Sequence, residues 1–455
     1  MIINNSKNIK KNDIFIATHT SLEDRHKYIE NAIEKGASAV IIDKDIKNIK
    51  IPSIKVNNTN NTYFQIYNDL YNKPFKNIKL IGITGTDGKT TTSYITKQLL
   101  NNFYNTAYLG TNGLEYNDKC LKTHNTTPDI KTILEIGKTL NDNNIKYLVM
   151  EASSEGLLNN RLEGLKFDIA SLTNITIDHL NIHKSIKNYV YSKLKLFKKV
   201  KKHGYSILNK NDKYYKLFKK NSKNIITYGE KPLSNYRIKN IKIHSNYTTF
   251  DLKHKFKTYK IKSPYVGKFN VYNLTLALII VNKSGIKIKE IIKYIPKLLP
   301  TSGRVNFLDY GQNYKIILDY AHTTRATLEM LKFANTIKKN KIITVLGCAG
   351  GRYKDKRKEI GKLATTYSDI AIFTMDDPRY ENLDDIFKDM LQDVTKTNYL
   401  LIKNRKKAIY KAFTLAKEND IILILGKGKD DYMAIKNKYA KYNDIKTISK
   451  YFNAC

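Results

Sequence analysis

The chain of 455 residues reads as an α/β protein of three domains, the central one built on a parallel sheet, and three observations predict this. Its length exceeds what one ordinary core accommodates. Short β-branched runs alternate with helix-length patterns along most of the sequence, as parallel sheets require. One of those runs ends in a glycine-rich turn that leads directly into a helix.

The elements follow in chain order. Asp13 to Ala17, a helical stretch from Arg25 to Lys35 closed by Gly36, and Ala37 to Ile42 form a small N-terminal α/β domain, residues 1–75. After the Tyr71-Asn72-Lys73-Pro74 turn, the strand Ile78 to Thr84 opens a central domain, residues 76–299, with its helix beginning near Thr90. Tyr147 to Met150, Ile169 to Leu172 and Ser206 to Leu208 supply further buried strands; a β-rich stretch from Tyr236 to Tyr259 and a helix from about Asn270 complete it. The clearest break falls at Leu299-Pro300. Beyond it Ile316 to Asp319, Ile342 to Leu346, Ile370 to Thr374 and Ile421 to Leu425 mark a third, Rossmann-like α/β domain, residues 300–455.

Composition narrows the partners. Eighty basic against 41 acidic residues give a formal charge of +39, but the lysines are spread through the whole chain together with abundant Asn, Ile and Tyr. That pattern points to compositional bias rather than a polynucleotide footprint, which clusters on one face. No apolar run is long enough for a membrane span, and the N-terminus has no leader pattern. The three widely spaced cysteines lack a CxxC pair, arguing against a disulfide framework. A cytoplasmic enzyme without nucleic acid or membrane insertion is the expectation.

The strongest local signal is Gly85-Thr86-Asp87-Gly88-Lys89-Thr90-Thr91. Glycines let backbone amides approach phosphate, the helix N-terminus adds a favourable dipole, Lys89 suits the β and γ phosphates, and Thr90 suits Mg²⁺. The alternative is a plain glycine turn between strand and helix. Downstream, Thr126-Thr127-Pro128 alone also fits a helix N-cap with proline at N1. Acid and imidazole groups just past a strand, Asp178, His179 and His183, suit a divalent ion near a triphosphate, against the commoner fate of a buried structural histidine. In isolation Lys193 is a lysine on an amphipathic helix and nothing more.

The glycine loop resembles that of the Mur ligases and of the related folylpolyglutamate synthases, and the likeness to Mur ligases continues in order. It passes through Thr126-Thr127-Pro128, Met150-Glu151-Ala152-Ser153-Ser154-Glu155 with Arg161, and Thr173-Asn174 to His183. It goes on through Tyr189 to Phe197, Gly267 to Asn273, Ser302-Gly303-Arg304, Asp319-Tyr320-Ala321-His322, Gly347 to Arg352, Asp376-Asp377-Pro378-Arg379 and Gly426 to Asp430. The resemblance implies an ATP-dependent ligase that adds an amino acid to UDP-N-acetylmuramoyl-L-alanyl-D-glutamate in peptidoglycan synthesis, working as a monomer through an acyl phosphate. It implies ATP contacts from Gly85 to Thr91, Asn273, Arg304 and Asp319, and UDP-substrate contacts from Ser6, Thr126, Thr127, Ser154 and Arg161. It further implies amino-acid contacts from Asp376, Asp377, Arg379, Gly426 and Asp430, catalytic roles for Lys89, His179 and Lys193, and Mg²⁺ ligation by Thr90, Glu151, His179 and a carbamylated Lys193. Asp376-Asp377-Pro378-Arg379 resembles the box of the family's diaminopimelate-using enzymes, whose arginine pairs with a substrate carboxylate, and so implies diaminopimelate over lysine.

The chain departs from the family pattern at Glu155, Thr324, Arg325, Gly351, Tyr353, Lys429 and Asp430. These departures keep open a divergent paralogue joining another carboxylate and amine. A basic polynucleotide-binding ATPase is the rival from a different class.

Overall fold

The computed structural model describes residues 1–21, 23–436 and 438–453. The chain groups into two compact units. One comprises Met1–Gly85, Thr96–Thr173 and Lys187–Ile226; the other comprises Thr86–Ile95, Asn174–Ile186 and the chain from Thr227 on.

The first unit holds two sheets. Strands β1 (Ile2–Ile3), β2 (Ile14–Ile16), β3 (Ala39–Ile42) and β4 (Ser53–Lys55) form a parallel sheet in that order. The predicted helix over Arg25 to Lys35 divides into a 3-10 turn, Arg25–Tyr28, and an α-helix, Ile29–Glu34. Asp24 caps the turn by accepting from the His26 amide, and Gly36 follows with φ +93°.

The larger sheet of this unit is built from β5 (Lys79–Thr84), β6 (Thr106–Gly110), β7 (Gly113–Tyr116), β8 (Lys119–Leu121), β9 (Tyr147–Glu151), β10 (Phe167–Leu172) and β11 (Val200–Asn209), ordered β8-β7-β6-β9-β5-β10-β11. From β6 to β11 neighbours are parallel, while β7 and β8 add an antiparallel edge that the apolar-run pattern does not foretell. At the carboxyl ends of its parallel strands, where α/β sheets bind ligands, Glu151 closes β9 and Gly85, Thr111 and Thr173 follow β5, β6 and β10.

In the second unit, β12 (Ile225–Gly229), whose last three residues belong here, pairs in parallel with β13 (Tyr236–Ile243). Antiparallel β14 (Thr248–His254) and β15 (Lys257–Ser263) follow, matching the predicted β-rich stretch, and the helix Lys268–Lys283 comes next.

The other sheet of this unit has the order β16-β17-β21-β18-β19-β20, with β16 (Asn306–Leu308) antiparallel. Its parallel strands are β17 (Lys315–Asp319), β18 (Ile342–Leu346), β19 (Ile370–Phe373), β20 (Tyr399–Leu401) and β21 (Ile421–Leu425). The hairpin β22 (Tyr432–Ile435) and β23 (Lys438–Lys441) closes the strand list.

The continuous apolar runs have a direct cause here. Ile421, Leu423 and Leu425 pack with Met330, Leu331, Ile360 and Ile386 of helices on one face. Ile422 and Ile424 pack with Ala408, Ile409 and Ile448 of helices on the other. With both faces covered, neither parity of the strand has to be polar. No helix among the described residues is long and apolar enough to cross a membrane.

Candidate functional site

At the carboxyl end of β9, Glu151 is fully buried. Its Oε1 accepts from the Tyr108 hydroxyl at 2.6 Å and the Thr111 amide at 3.0 Å, and its Oε2 from the Thr111 hydroxyl at 3.2 Å. Gly110 is glycine for a reason visible at this point, since a Cβ there collides with the Glu151 carboxylate. Burial and the adjacent carboxylate push the Tyr108 hydroxyl far above its ordinary range, so it stays a donor.

The Thr126-Thr127-Pro128 segment is not the helix cap. Asp129 caps Ile130–Asp142, accepting from the Thr132 amide. Thr127 is thereby released for tertiary work: its hydroxyl donates to the Glu151 carbonyl at 2.8 Å and accepts from the Ser153 amide at 3.0 Å. Its carbonyl accepts from Arg161 Nη1 at 3.0 Å. The Thr126 and Thr111 hydroxyls lie 3.2 Å apart, and Ser154 is buried at the start of the following short helix. Thus Thr126, Thr127, Arg161 and Glu151 are brought together. Ser6 sits in a 3-10 turn capped by Asn5, where its carbonyl accepts from the Ile9 amide.

Lys193 is buried, its Nζ donating to the Gly85 carbonyl at 2.7 Å and lying 4.4 Å from the Tyr189 ring centre. A lysine turned inward onto a phosphate-loop carbonyl is not the solvated helix face that composition alone suggests.

In the second unit the loop after Gly85 is cross-braced. The Thr86 amide donates to the Asn174 carbonyl at 2.7 Å, Asn174 Nδ2 to the Asp87 carbonyl at 3.0 Å, and the Thr176 amide to the Thr86 hydroxyl at 2.9 Å. Gly88 has φ +81°, and a Cβ there collides with Asn273 Oδ1. That same oxygen accepts from the Thr92 hydroxyl at 3.3 Å. Lys89 Nζ rests on the Thr86 carbonyl at 2.7 Å, with Thr90 and Thr91 buried beside it. Asp87 Oδ1 also accepts from Thr323, the N-cap of the helix Thr324–Ile337.

Asp178 is buried, with His179 Nε2 at 3.4 Å and Lys356 Nζ at 3.9 Å. Burial alone raises its pKa, but the positive charges of His179, Lys356 and His322 prevail and hold it at about 2. His322 has the opposite fate: burial, helped by Lys356, lowers it to about 4, leaving it neutral near pH 7. His179 adopts the left-handed conformation, φ +55°, before a one-turn helix.

Asp319, at the end of β17, accepts from the Val305 amide at 2.8 Å and the Ala321 amide at 2.7 Å. It organises the turn that carries Arg304, whose guanidinium lies 4.4 Å from the Tyr320 ring centre.

The ends of β19 and β21 carry a second charged centre. Lys427 is buried with Nζ 2.8 Å from Asp377 Oδ1, 3.5 Å from Asp430 Oδ2 and 3.9 Å from Asp376 Oδ1. Gly426, φ +110°, allows this approach, since a Cβ there sits 2.8 Å from Asp376 Oδ2. Burial pushes the Asp430 carboxyl up to about 6 against the opposing pull of Lys427, with the Asp376 and Asp377 charges adding to the rise. Arg379, φ +52°, is fixed through its backbone: its amide donates to the Ala434 carbonyl at 2.9 Å and its carbonyl accepts from Lys436 at 2.6 Å.

Several supporting residues escape the motif reading. Arg405 donates through Nε and Nη2 to Asp444 at 2.9 and 2.7 Å, and through Nη2 to the Leu425 carbonyl at 2.9 Å. Arg357, which with Lys356 belongs to the Gly347–Arg352 motif, clamps Glu381 and Asp389 at 2.8 Å, and Glu381 also accepts from the Gly351 amide at 2.6 Å. Tyr108, Thr111 and Arg405 stand in no local pattern; only their contacts reveal them.

Among the described residues no three His, Cys, Asp or Glu side chains converge as a self-contained metal cage. Mg²⁺ needs none, since it takes one or two hard oxygen donors and leaves the remaining positions to phosphate and water. The buried Glu151 carboxylate is a donor of that kind.

Comparison with known proteins gives consistent matches. Residues 83–281 match the Mur ligase middle domain and residues 303–428 the Mur ligase, glutamate ligase domain. The UDP-N-acetylmuramoyl-L-alanyl-D-glutamate–2,6-diaminopimelate ligase of Clostridium tetani is 36% identical, over 98% of this chain and 93% of its own length. The ligase of the same name from Fusobacterium nucleatum is also 36% identical, over 96% and 91%. A solved structure of a ligase of that name is 27% identical, with a TM-score of 0.70, covering 100% of this chain and 94% of its own. A Thermotoga maritima Mur ligase solved with ADP shares the fold, at 18% identity and a TM-score of 0.64.

Proposed function

The chain belongs to the Mur ligase family of ATP-dependent ligases, and from that premise we propose that it joins 2,6-diaminopimelate to the D-glutamyl carboxylate of UDP-N-acetylmuramoyl-L-alanyl-D-glutamate. The observation that carries the choice of amino acid is the buried Asp376-Asp377-Lys427-Asp430 cluster with Arg379 next in sequence to Pro378. Three carboxylates against one ammonium leave negative charge for an incoming ammonium group, and a guanidinium suits the distal carboxylate that lysine lacks. In this reading residues 1–75, 76–299 and 300–455 divide the work into uridine-substrate, ATP and amino-acid binding.

Each side chain then has a task. The amides of Thr86 to Thr90 and the Lys89 ammonium receive the triphosphate, with Asn273, Arg304 and Asp319 placing the nucleoside. Thr126, Thr127, Ser154 and Arg161 orient the muramoyl dipeptide, with Ser6 at the uridine end. The glutamyl carboxylate attacks the γ-phosphorus and ADP departs; the amine then attacks the acyl phosphate carbonyl and inorganic phosphate leaves, giving the amide. No covalent enzyme intermediate is needed, so positioning and charge neutralisation supply the rate. Mg²⁺, when held by Thr90, Glu151, His179 and a carbamate on Lys193, supplies neutralisation of phosphoryl charge.

The test is phosphate release with ATP, Mg²⁺, the UDP-muramoyl dipeptide and single amino acids. Release with diaminopimelate and a matching product mass supports the reading; release with lysine alone overturns the specificity. Silence with every amino acid, from folded protein that binds ATP, moves the assignment to a ligase with another substrate pair.

Two further outcomes follow. Arg379→Ala is expected to raise KM for diaminopimelate by roughly 10–100-fold, the worth of a charge-assisted hydrogen bond, with a much smaller change for any lysine turnover. An equal effect on both amino acids removes Arg379 from the distal carboxylate.

With the Asp430 pKa near 6, KM for the amino acid is expected to fall as pH rises from about 5 to about 7, because only the ionised carboxylate attracts the ammonium. Asp430→Asn flattens that limb. The stability effect runs the other way: a carboxyl raised above its ordinary value favours folding at low pH, and that contribution is lost as pH rises through about 6. A KM profile unchanged by Asp430→Asn assigns the titration to another group.

A further inference from the structure

The three antiparallel strands β13 to β15 bury one face through Tyr236, Ile238, Phe250, Leu252 and Ile261. Their register sets the opposite face in three rungs: Arg237–Lys253–Thr258, Lys239–Asp251–Lys260 and Lys242–Thr249–Lys262. Of these nine positions six are cationic and one is acidic, whereas the whole chain carries about two basic residues per acid. The acid, Asp251, is engaged by Asn240 Nδ2 at 2.6 Å. Arg237 stands directly across from Lys253, a like-charge pair that costs stability in a sheet. Compositional bias spreads charge; it does not gather it in a grid on one sheet face.

One end of this sheet also projects apolar groups. Tyr236 pairs with His254 and His254 with Lys257, so the loop before β13 and the β14–β15 turn lie at the same end. Phe256 at that turn is fully exposed between Lys255 and Lys257, and Leu233 in the loop is 91% exposed. Neither packs into a core.

We propose that this sheet face is a peripheral docking surface for an anionic lipid bilayer, with the cation grid against the headgroups and Phe256 and Leu233 entering the interface. Juxtamembrane lysines gain from the negative surface potential, and aromatic or aliphatic groups between them add apolar burial. A single-stranded polynucleotide fits less well, because none of the nine outward positions offers an aromatic platform for a base. The surface involves none of the residues assigned to the ligase reaction.

The experiment is co-sedimentation of the whole protein with vesicles of pure phosphatidylcholine, or of phosphatidylcholine with 30% phosphatidylglycerol, a fraction of about that size setting a negative surface potential. It is run at low salt and in about 0.5 M salt, where screening is strong. Expected is binding to the anionic vesicles alone, weakened by salt, at least about 30-fold weaker in Lys253→Glu/Lys260→Glu and about 10-fold weaker in Leu233→Ser/Phe256→Ser. Phosphate release by both variants in vesicle-free buffer is expected to stay at the parent level, reporting an intact fold. Absence of vesicle binding by the parent overturns the proposal, as does binding that the variants leave unchanged, which assigns it to diffuse charge. Loss of binding to a homopolymeric oligonucleotide in the lysine variant, with no vesicle binding by the parent, makes the face a polynucleotide surface instead.

Discussion

Replacing Lys89 by methionine is expected to lower kcat/KM for phosphate release by about 10²–10³-fold while leaving thermal stability nearly unchanged. In the structure Lys89 Nζ donates to the Thr86 carbonyl of its own loop, a contact that a surface water replaces at little cost. In the proposed reaction its worth lies in phosphoryl transfer, where charge develops on the transferring oxygens and a positioned ammonium would neutralise it. Methionine keeps the length and apolar stem and removes the charge. The assay is phosphate release under saturating amino acid, alongside a melting curve. A fall of less than about fivefold would take Lys89 out of the phosphate site, because a cation positioned on the transferring phosphoryl group is worth about 10²-fold or more. A fall accompanied by a large loss of melting temperature would instead make the residue a structural brace.

Arg405→Met is expected to destabilise the protein by about 3–5 kcal/mol, the cost of stranding a buried charge when its partner is removed. Arg405 and Asp444 are both almost wholly excluded from solvent, and two of the guanidinium nitrogens reach the two carboxylate oxygens. The same guanidinium holds the Leu425 carbonyl, immediately before the Gly426–Asp430 turn, and lies 3.5 Å from the Met375 carbonyl, immediately before Asp376. The ion pair therefore fixes the ends of the two strands whose turns carry the Asp376-Asp377-Lys427-Asp430 cluster. Urea denaturation of the single variant measures the loss. The double variant Arg405→Met/Asp444→Leu is expected to recover much of it, since neither charge then remains buried alone. If the double variant is no more stable than the single one, the destabilisation comes from lost carbonyl contacts rather than from Asp444. Amino-acid KM in the double variant separates the two roles: recovered stability with a raised KM marks Arg405 as positioning the turns.

The runs Ile342 to Leu346 and Ile421 to Leu425 are strands over the same limits that the sequence reading assigns, because strands covered on both faces leave an unbroken apolar signature. The edge strands β7 and β8 were not legible. They are four and three residues long, and β8 is exposed throughout, Leu121 included, so nothing in their composition separates them from a loop. The candidate site divides in the same way. Glycine and phosphate-loop chemistry at Gly85 to Thr91 is local, since the residue types and their spacing are themselves the device. The partners of Glu151 are not local: Tyr108 precedes it by 43 positions and Thr111 by 40, and parallel pairing of β6 with β9 brings them together.

The sequence by itself determined the α/β class, the buried parallel strands and the glycine turn that opens the Lys89 helix, because hydrophobic period, turn chemistry and glycine placement act over a few residues. It also marked Lys193, Glu151 and Asp376 as chemistry-bearing through a resemblance to known ligases. Only the tertiary structure decided that Lys193 turns inward onto Gly85, that Thr127 serves Glu151 rather than a helix cap, and that Lys427 sits among three aspartates 50 and 51 positions upstream and 3 downstream. The reason is physical. Charge and hydrogen-bond energies depend on separation in space and on the exclusion of water, and chain distance fixes neither once the strands have paired.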